Sequence, residues 1–293
     1  MKAVILAAGQ GKRLGRLNHH RPKCLLNLGP TTIIEHQIAN LRLHDITDIT
    51  VVVGYRAEQV KHWLGDSVHY ICNPDYAATN SLYSLWLARG QAEDGFVLLN
   101  GDVVFHPQIL GKLLASPYPD ALTIDRESEF DDEQMKVALD GDRVVAISKE
   151  LDAGVAAGEN LGVVKFSRSG ARVLFEKIEA LIAQGGADRW CPYAFDAIAP
   201  YQPIYGIDIG DLPWIEIDFP TDLMKAVRSI YPKIEQSPWI GVDDPGDLWY
   251  AQTNVYPWLH CRTAGVNFHC PLTAIQNVRP MLNRKVDRCS RKI

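Results

Sequence analysis

The chain has 293 residues, 47% of them hydrophobic, and a formal net charge of −5 at pH 7. A chain of this kind can bury a large core, which excludes a disordered polypeptide, and its negative charge argues against a broad nucleic-acid-binding surface. No apolar run approaches the ~18 residues of a membrane-spanning helix and no secretory leader precedes the first predicted strand, so we expect a cytoplasmic protein without membrane insertion. The six cysteines lack a CxxC pair and are expected to be reduced thiols.

The first predicted strand, at residues 4–6, is followed by a glycine loop and two isolated cations. Gly9 and Gly11 allow the backbone to turn so that its N–H groups face phosphate oxygens, and Arg13 and Lys23 add positive charge. The loop does not fit a dinucleotide fingerprint, because Leu14 replaces the third glycine, and no G-K-[ST] follows at Walker spacing. These parts predict a triphosphate-binding site.

Strands and helices alternate through the first half of the chain, which predicts an α/β fold with a doubly wound, mostly parallel, Rossmann-like sheet. Ligands of such sheets bind beyond the carboxyl ends of the strands, where the glycine loop, Asn73 and Asp102 fall. Thr32 and Glu35 have capping-box spacing at the start of the first helix. The expected elements are a helix at 32–43, a strand at 49–53, a helix at 58–64, a strand at 68–72, a helix at 79–89 and a strand at 96–99.

The pattern changes in the second half, where we expect a mixed sheet. A hairpin with an Asp140-Gly141 turn is predicted to form a substrate lid over the nucleotide-binding half. Pro220 suits the first turn of a later helix. The expected elements are hairpin strands at 135–139 and 143–147, a strand at 162–166, a helix at about 170–184, a strand at 215–217 and a helix at 221–230.

Four segments of the chain resemble the motifs of one enzyme superfamily. The first runs from Leu6 to Leu14 as L-A-A-G-x-G-x-R-L and continues with Pro22-Lys23; the others lie at 73–86, 99–105 and 214–223. Together they resemble the nucleotidyltransferases that activate sugar phosphates and phospho-alcohols, in particular the phosphocholine cytidylyltransferase branch and its phosphonate-activating relatives. The resemblance implies a nucleotidyltransferase domain at 1–231 and leaves a C-terminal appendage of unrecognised role at 232–293.

Two carboxylates far apart in the sequence are predicted to bind one Mg²⁺ ion. Asp102 follows the strand at 96–99, and Asp218 follows the strand at 215–217; carboxylate oxygens are the ligands that Mg²⁺ prefers beside phosphates. The alternative roles are a turn residue for Asp102 and a helix N-cap for Asp218.

A repeated sequence segment offers a second candidate for the role of Asp218. The segment at 214–226 recurs at 239–251 with Asp243 in register. We favour Asp218, because its spacing from Asp102 agrees better with the family resemblance and because Gly241 weakens the second strand.

The candidate nucleotide site combines the resemblance with the residue types. Arg13 and Lys23 can neutralise the triphosphate and the incoming phosphate. The resemblance implies that Lys23 acts at the α-phosphate and that Lys136 and Lys149 contact the acceptor phosphate, although exposed hairpin lysines are also ordinary. Amides and hydroxyls near Asn73 can read a pyrimidine edge or cap a helix, and in the relatives this region selects cytosine. The predicted nucleotide-binding residues are Leu6, Ala7, Ala8, Gly9, Gln10, Gly11, Arg13, Lys23, Asn73, Thr79, Asn80, Ser81, Gly101 and Asp102.

The candidate acceptor site follows from strand alternation, which places Trp214, Glu216 and Asp218 on one face. A tryptophan ring and a carboxylate suit a positively charged amine, although burial in a core is the commoner role of a tryptophan. Relatives that activate phosphocholine often carry Y-x-E-D-A, whereas this chain has Phe195 at the glutamate position, which puts choline itself in doubt. The predicted acceptor-binding residues are Glu159, Tyr193, Asp196, Trp214 and Glu216.

These features predict a CTP-dependent, Mg²⁺-requiring cytidylyltransferase that transfers CMP to a small phosphorylated alcohol, amine or phosphonate and releases pyrophosphate. A sugar-1-phosphate nucleotidyltransferase and a catalytically silent nucleotide-binding subunit are the alternatives, and a nicotinamide oxidoreductase fits least because its glycine spacing is absent. A homodimer is compatible with the sequence. In the tail, His260-Cys261 and His269-Cys270 offer four metal ligands without a usual zinc spacing.

Overall fold

A computed structural model of the protein describes residues 1–236 apart from positions 19, 129 and 131. Asp243 and the four tail residues considered as zinc ligands lie outside the described residues. The strands are β1 (Lys2–Ala7), β2 (Ile49–Val53), β3 (His69–Cys72), β4 (Gly95–Asn100), β5 (Val103–Phe105), β6 (Ala121–Asp125), β7 (Lys136–Asp140), β8 (Arg143–Ser148), β9 (Gly158–Ser167), β10 (Tyr205–Asp208) and β11 (Trp214–Glu216). The α-helices are α1 (Ile33–Leu43), α2 (Ala57–Leu64), α3 (Ser81–Leu87), α4 (Arg89–Ala92), α5 (Pro107–Ala115), α6 (Arg168–Ala183), α7 (Cys191–Ile198), α8 (Pro220–Lys225) and α9 (Tyr231–Gln236).

A nine-stranded sheet with the order β3-β2-β1-β4-β9-β6-β10-β8-β7 forms the centre of the fold. The strands β3, β2, β1 and β4 pair in parallel, as predicted for the first half of the chain. Beyond β4 the sheet becomes mainly antiparallel, because β9 runs against both β4 and β6. Only four pairings of this sheet are parallel and five are antiparallel, so the expectation of a mostly parallel sheet is wrong for the sheet as a whole.

Helices cover both faces of the sheet, since successive strand residues point to opposite sides. In β1, Ala3 and Ile5 face a core that includes residues of α1, α2 and α5, whereas Val4 faces a core that includes residues of α3, α6 and α7. Phe96 and Phe166 are fully buried on the second face, and a side chain of this size contributes about 1.5–3 kcal/mol on burial. The capping box of Thr32 and Glu35 is present at the start of α1.

The predicted hairpin forms as β7 and β8, and Gly141 in its turn has a φ of +60°. Its strands continue the main sheet, because β8 pairs with β10 and β7 pairs with the start of β9. The strand predicted at 162–166 is longer than expected and lies between β4 and β6. The role of the hairpin as a lid stays a prediction.

A separate two-stranded sheet joins β5 to β11 and leads into the last helices. The helix predicted at 221–230 consists of α8 and a π-helical turn at Ala226–Ile230, after which α9 begins. Tyr231 and Ile234 are buried with Leu14, so the predicted boundary after residue 231 falls inside a packed helix. Among the described residues, no helix has both the length and the apolar character needed to cross a lipid bilayer.

Candidate active site

The glycine loop leaves β1 at Ala7 and borders a cavity of about 370 Å³. Gly11 has a φ of +60°, and a Cβ atom there would lie 2.9 Å from the side-chain nitrogen of Asn18. Its carbonyl accepts a hydrogen bond from Leu14 N at 3.0 Å, which closes the loop over a fully buried leucine. This close packing requires glycine at position 11 and holds the loop against the cavity.

Lys23 begins a short 3-10 segment, Lys23–Leu25, and its side chain is only 11% exposed. Its ammonium contacts Asp102 Oδ2 at 2.9 Å and Asp218 Oδ1 at 2.7 Å. Burial opposes the charged form of the lysine, but the two carboxylates outweigh burial and raise the pKa of Lys23. The lysine is therefore charged and bridges the two predicted metal ligands.

The backbone explains why Asp102 and Asp218 meet. Gly101 N donates to Leu6 O at 3.0 Å, and a Cβ at this glycine would lie 2.5 Å from the same carbonyl, so the turn packs directly on β1. Pairing of β5 with β11 continues into a hydrogen bond from Ile217 N to Asp102 O at 3.0 Å. Two segments distant in sequence are thus joined at the carboxyl end of the parallel strands.

The side chain of Asp218 does not cap the helix α8, which was the alternative role predicted for it. The carboxylate of Asp222 accepts hydrogen bonds from Asp218 N at 3.0 Å and from Phe219 N at 2.7 Å at the start of α8. The side chain of Asp218 instead contacts Lys23 and Arg13, so it is directed into the cavity.

Arg13 extends this network toward solvent. Its guanidinium contacts Asp218 Oδ2 at 2.6 Å and Glu133 Oε2 at 2.7 Å, and Lys149 approaches the same glutamate oxygen at 3.5 Å. Burial opposes the charge of Arg13, but Asp218 and Glu133 prevail and raise its pKa, while the hydrogen bond from Arg13 lowers the pKa of Glu133. Two cations of the predicted site are therefore bound to carboxylates.

Three carboxylates, those of Asp102, Glu216 and Asp218, form a cluster whose ligand oxygens all lie within 4.8 Å of one another. Asp102 Oδ1 is buried and has no hydrogen-bond partner in the described part of the chain. Loss of hydration raises the pKa of Glu216, and the negative charges of Asp102 and Asp218 raise it further. Glu216 also lines the second cavity. A hard divalent cation fits this donor set, because it prefers carboxylate oxygens and would satisfy the unpartnered atom.

Every residue predicted to bind the nucleotide lines one of two adjoining cavities, of about 370 Å³ and 210 Å³. Within this set the structure gives Asn73 a supporting role. Its amide donates to Thr79 Oγ1 at 3.1 Å and Ser84 Oγ at 3.0 Å, and its carbonyl oxygen accepts from Asp75 N at 2.9 Å. Asn80 Oδ1 accepts from Ser81 N at 2.8 Å, as a helix cap does. These bonds shape the loop at 73–80 beside the cavity.

Of the predicted acceptor residues, only Glu216 lines either of the two cavities. Trp214 donates its indole N–H to Asp125 Oδ2 at 2.7 Å, and Glu159 accepts from Ser128 at 2.7 Å. The charge of Glu159 makes a small contribution to the raised pKa of Glu216, after burial and the charges of Asp102 and Asp218.

Two further predicted acceptor residues have partners within the protein. Asp196 accepts from Ile147 N at 2.8 Å, which ties α7 to β8. Tyr193 lies with its ring 4.4 Å from the guanidinium of Arg189.

The hairpin lysines are also placed outside both cavities. Lys136 is almost fully buried, and its ammonium donates to the backbone carbonyl of Lys149. Lys149 lies between Glu133 and the ring of Trp190, whose centroid is 5.2 Å from its ammonium. Lys136 is thus enclosed by the protein, and its ammonium is not presented to either cavity.

The sequence-based reading missed several residues at the site. Tyr76 lines both cavities, Trp190 lines the second, and Glu133 pairs with Arg13. The signal for Tyr76 was its position inside the recognised segment at 73–86. Trp190 and Glu133 lie outside any motif and had no comparable signal.

The sheet order, together with acidic and basic side chains at strand ends beside a glycine loop, defines a nucleotidyltransferase fold. The chain belongs to the family of MobA-like NTP transferase domains, whose family profile matches residues 3–194.

Curated relatives and a solved structure agree with this family. The chain is 31% identical over 254 residues to the CMP-5'-(3-aminopropyl)phosphonate synthase of Streptomyces rubellomurinus, covering 80% of this chain and 40% of that protein. It is 36% identical over 121 residues to the choline-phosphate cytidylyltransferase of Streptococcus pneumoniae, covering 40% of this chain and 52% of that protein. The chain thus spans about half the length of these curated relatives.

The solved structure of CTP:phosphocholine cytidylyltransferase (LicC) from Streptococcus pneumoniae superposes with a TM-score of 0.66 at 25% identity. The match covers 77% of this chain and 97% of that one.

Proposed function

We propose that the protein transfers CMP from CTP to the phosphate or phosphonate oxygen of a small acceptor and releases pyrophosphate. The observation that carries this proposal is the meeting of Lys23 with Asp102 and Asp218 at the glycine loop. Cytidylyltransferases among the similar proteins support the choice of CTP.

The chemistry needs no nucleophile from the protein. An acceptor oxygen, anionic at neutral pH, attacks the α-phosphorus; the new P–O bond forms as the bond to the bridging oxygen breaks, and pyrophosphate leaves with that electron pair. The protein contributes alignment and charge neutralisation. Lys23 and Arg13 carry the charge for this, and both exchange their carboxylate contacts for phosphate oxygens when the nucleotide binds.

Asp102 and Asp218 would hold Mg²⁺, with Glu216 as a third carboxylate of the same cluster. A bound Mg²⁺ supplies charge neutralisation to the phosphates. Gly101 serves this arrangement because it allows the Asp102 turn to pack on the end of β1, directly beside the glycine loop.

We propose an acceptor with a cationic head. The carboxylate of Glu216 lines the second cavity and suits an ammonium group, and Trp214, on the same strand β11, offers an aromatic ring. Two of the similar proteins are named for 3-aminopropylphosphonate and choline phosphate, which both carry an amine-derived cation. Position 195 is a buried phenylalanine, whereas phosphocholine-activating relatives often carry a glutamate there, so the head group would have to rely on other carboxylates.

Pyrophosphate release tests the proposal. The purified protein is assayed with each of four nucleoside triphosphates and Mg²⁺ against phosphocholine, phosphoethanolamine, 2-aminoethylphosphonate and sugar-1-phosphates. We expect turnover with CTP and an amine-bearing acceptor. Turnover only with a sugar-1-phosphate would overturn the acceptor class, and no turnover with any pair would favour a silent nucleotide-binding subunit.

A single substitution tests the metal ligand. Asp102→Asn removes one negative charge but keeps the size of the side chain, so we expect turnover to fall by at least about 100-fold with an unchanged circular dichroism spectrum. Asp66→Asn is the matched control, because it makes the same substitution at an exposed aspartate just after the end of α2. Substantial activity of Asp102→Asn at saturating Mg²⁺ would refute the metal role.

A further inference from the structure

The helix α1 carries three polar side chains, His36, Gln37 and Asn40, that are fully buried. All three reach backbone carbonyls in or beside β5. A polar side chain in a core is unfavourable unless its hydrogen bonds are made, and an apolar residue would pack there without that requirement. The buried polar residues of α1 therefore bind backbone carbonyls at and next to β5.

Gln37 makes the contact nearest to the site. Its amide nitrogen donates to Asn100 O at 2.7 Å and to Val103 O at 2.8 Å, which uses both of its N–H donors. These two carbonyls bracket the Gly101-Asp102 turn on either side. The side-chain oxygen of Gln37 is buried and makes no hydrogen bond within the described residues, so the two donor contacts are made at the cost of one unsatisfied polar atom.

The same helix is also tied to the segment that carries Lys23. Leu26 N donates to Lys23 O at 3.0 Å, and Ile33 N at the start of α1 donates to Leu26 O at 3.1 Å. The main chain of Lys23 and the main chain around Asp102 are thus held by one rigid element from two sides.

We propose that Gln37 is a positioning residue for Asp102. Its two hydrogen bonds fix the turn so that the carboxylate meets Lys23 and Asp218 with one oxygen available to a metal ion. The inference rests on the metal role of Asp102 in the proposed function. Groups that orient a metal ligand from behind typically change metal affinity by about 10–100-fold when they are removed.

Two nearly isosteric variants separate positioning from stability. Gln37→Met removes both donors, and Asn40→Leu removes a similar buried donor that bonds Phe105 O at 3.1 Å, farther from the turn. Both variants should lower the thermal midpoint to a similar extent. Only Gln37→Met should weaken Mn²⁺ binding in the presence of CTP, by about tenfold or more, as measured by electron paramagnetic resonance.

Kinetics give a second readout. For Gln37→Met we expect a higher Mg²⁺ concentration at half-maximal rate and a lower kcat, with the KM for the acceptor unchanged. Equal Mn²⁺ affinities for Gln37→Met and the wild type would overturn the inference, and so would equal losses in Gln37→Met and Asn40→Leu. If Gln37→Met does not fold, Gln37→Leu, which is smaller and also lacks both donors, should show the same selective loss.

The two proposals fail in different ways. Absence of pyrophosphate release by the wild type refutes the proposed function, whereas the Mn²⁺ comparison still tests the positioning role. An active wild type whose metal affinity is indifferent to Gln37→Met refutes the positioning role alone.

Discussion

Lys23 sits where a metal ion bound by Asp102 and Asp218 would have to approach their oxygens. Its ammonium is within 2.9 Å of one carboxylate and 2.7 Å of the other, and the ligand oxygens of the cluster lie within 4.8 Å of one another. A divalent cation bound to these carboxylates would be repelled by this ammonium, and the repulsion is relieved when the ammonium moves away, for example to the phosphates of CTP. Lys23→Met should therefore strengthen metal binding when no nucleotide is present, although it should impair turnover.

The size of the effect follows from Coulomb's law. Two unit charges about 4 Å apart repel by about 1 kcal/mol in water, so an ammonium and a divalent cation repel by about 2 kcal/mol at that distance. This fully screened value is the lower limit, because Lys23 is 11% exposed. It corresponds to a gain of about 30-fold in the nucleotide-free affinity for the metal.

Mn²⁺ titration of metal-free protein, followed by electron paramagnetic resonance without nucleotide, measures this affinity. Lys12→Met is the matched control, because it removes one positive charge from the lining of the same cavity. We expect the gain in Lys23→Met only. An Mn²⁺ affinity of Lys23→Met equal to or below that of the wild type would refute this account of the ion pairs.

Three further outcomes are expected. Burial lowers the pKa of His36 to about 4, so as the pH falls below 6.5 the histidine is protonated in the unfolded state before it is protonated in the folded state. The free energy of unfolding should therefore drop by about 2 kcal/mol between pH 7 and 5. His36→Gln should remove this pH dependence, as measured by urea titrations. Gly101→Ala places a Cβ 2.5 Å from Leu6 O and should destabilise the fold by about 1–3 kcal/mol in thermal melts while abolishing turnover. Glu133→Gln removes one of the two carboxylates that hold Arg13 and should lower the KM for CTP about two- to fivefold at low salt; an unchanged KM would contradict this.

The nucleotide-binding half of the molecule was predictable because two kinds of signal coincide there. Apolar runs such as 49–53 indicate buried strands, and the glycines at 9 and 11 indicate where the chain turns. Parallel strands bring their carboxyl ends to one edge, so the proximity of Asp102 to the glycine loop followed from the order of elements. The motif resemblance was needed to choose Asp218 as its partner.

The second half was less predictable for a physical reason. A strand that is buried along most of its length, such as β9, lacks the alternation of apolar and polar residues that would reveal its direction or its neighbours. The strand β5 has only three residues and forms its pairing with β11, which is remote in sequence. The polar face of α1 was also missed, because Gln37 and Asn40 resemble the solvated residues of an amphipathic helix until the carbonyls opposite them are known.

The ladder between β5 and β11 has a consequence for how the molecule could be divided. A fragment that stops before Trp214 would retain the whole glycine loop and the parallel strands, yet Asp102 would lose both its main-chain partner at Ile217 and its acidic counterpart. Supplying the missing segment as a separate peptide would have to restore strand pairing before any catalysis could return. Assembly of the proposed metal site therefore requires the chain to be present through residue 218, since Asp218 directly follows the returning strand β11.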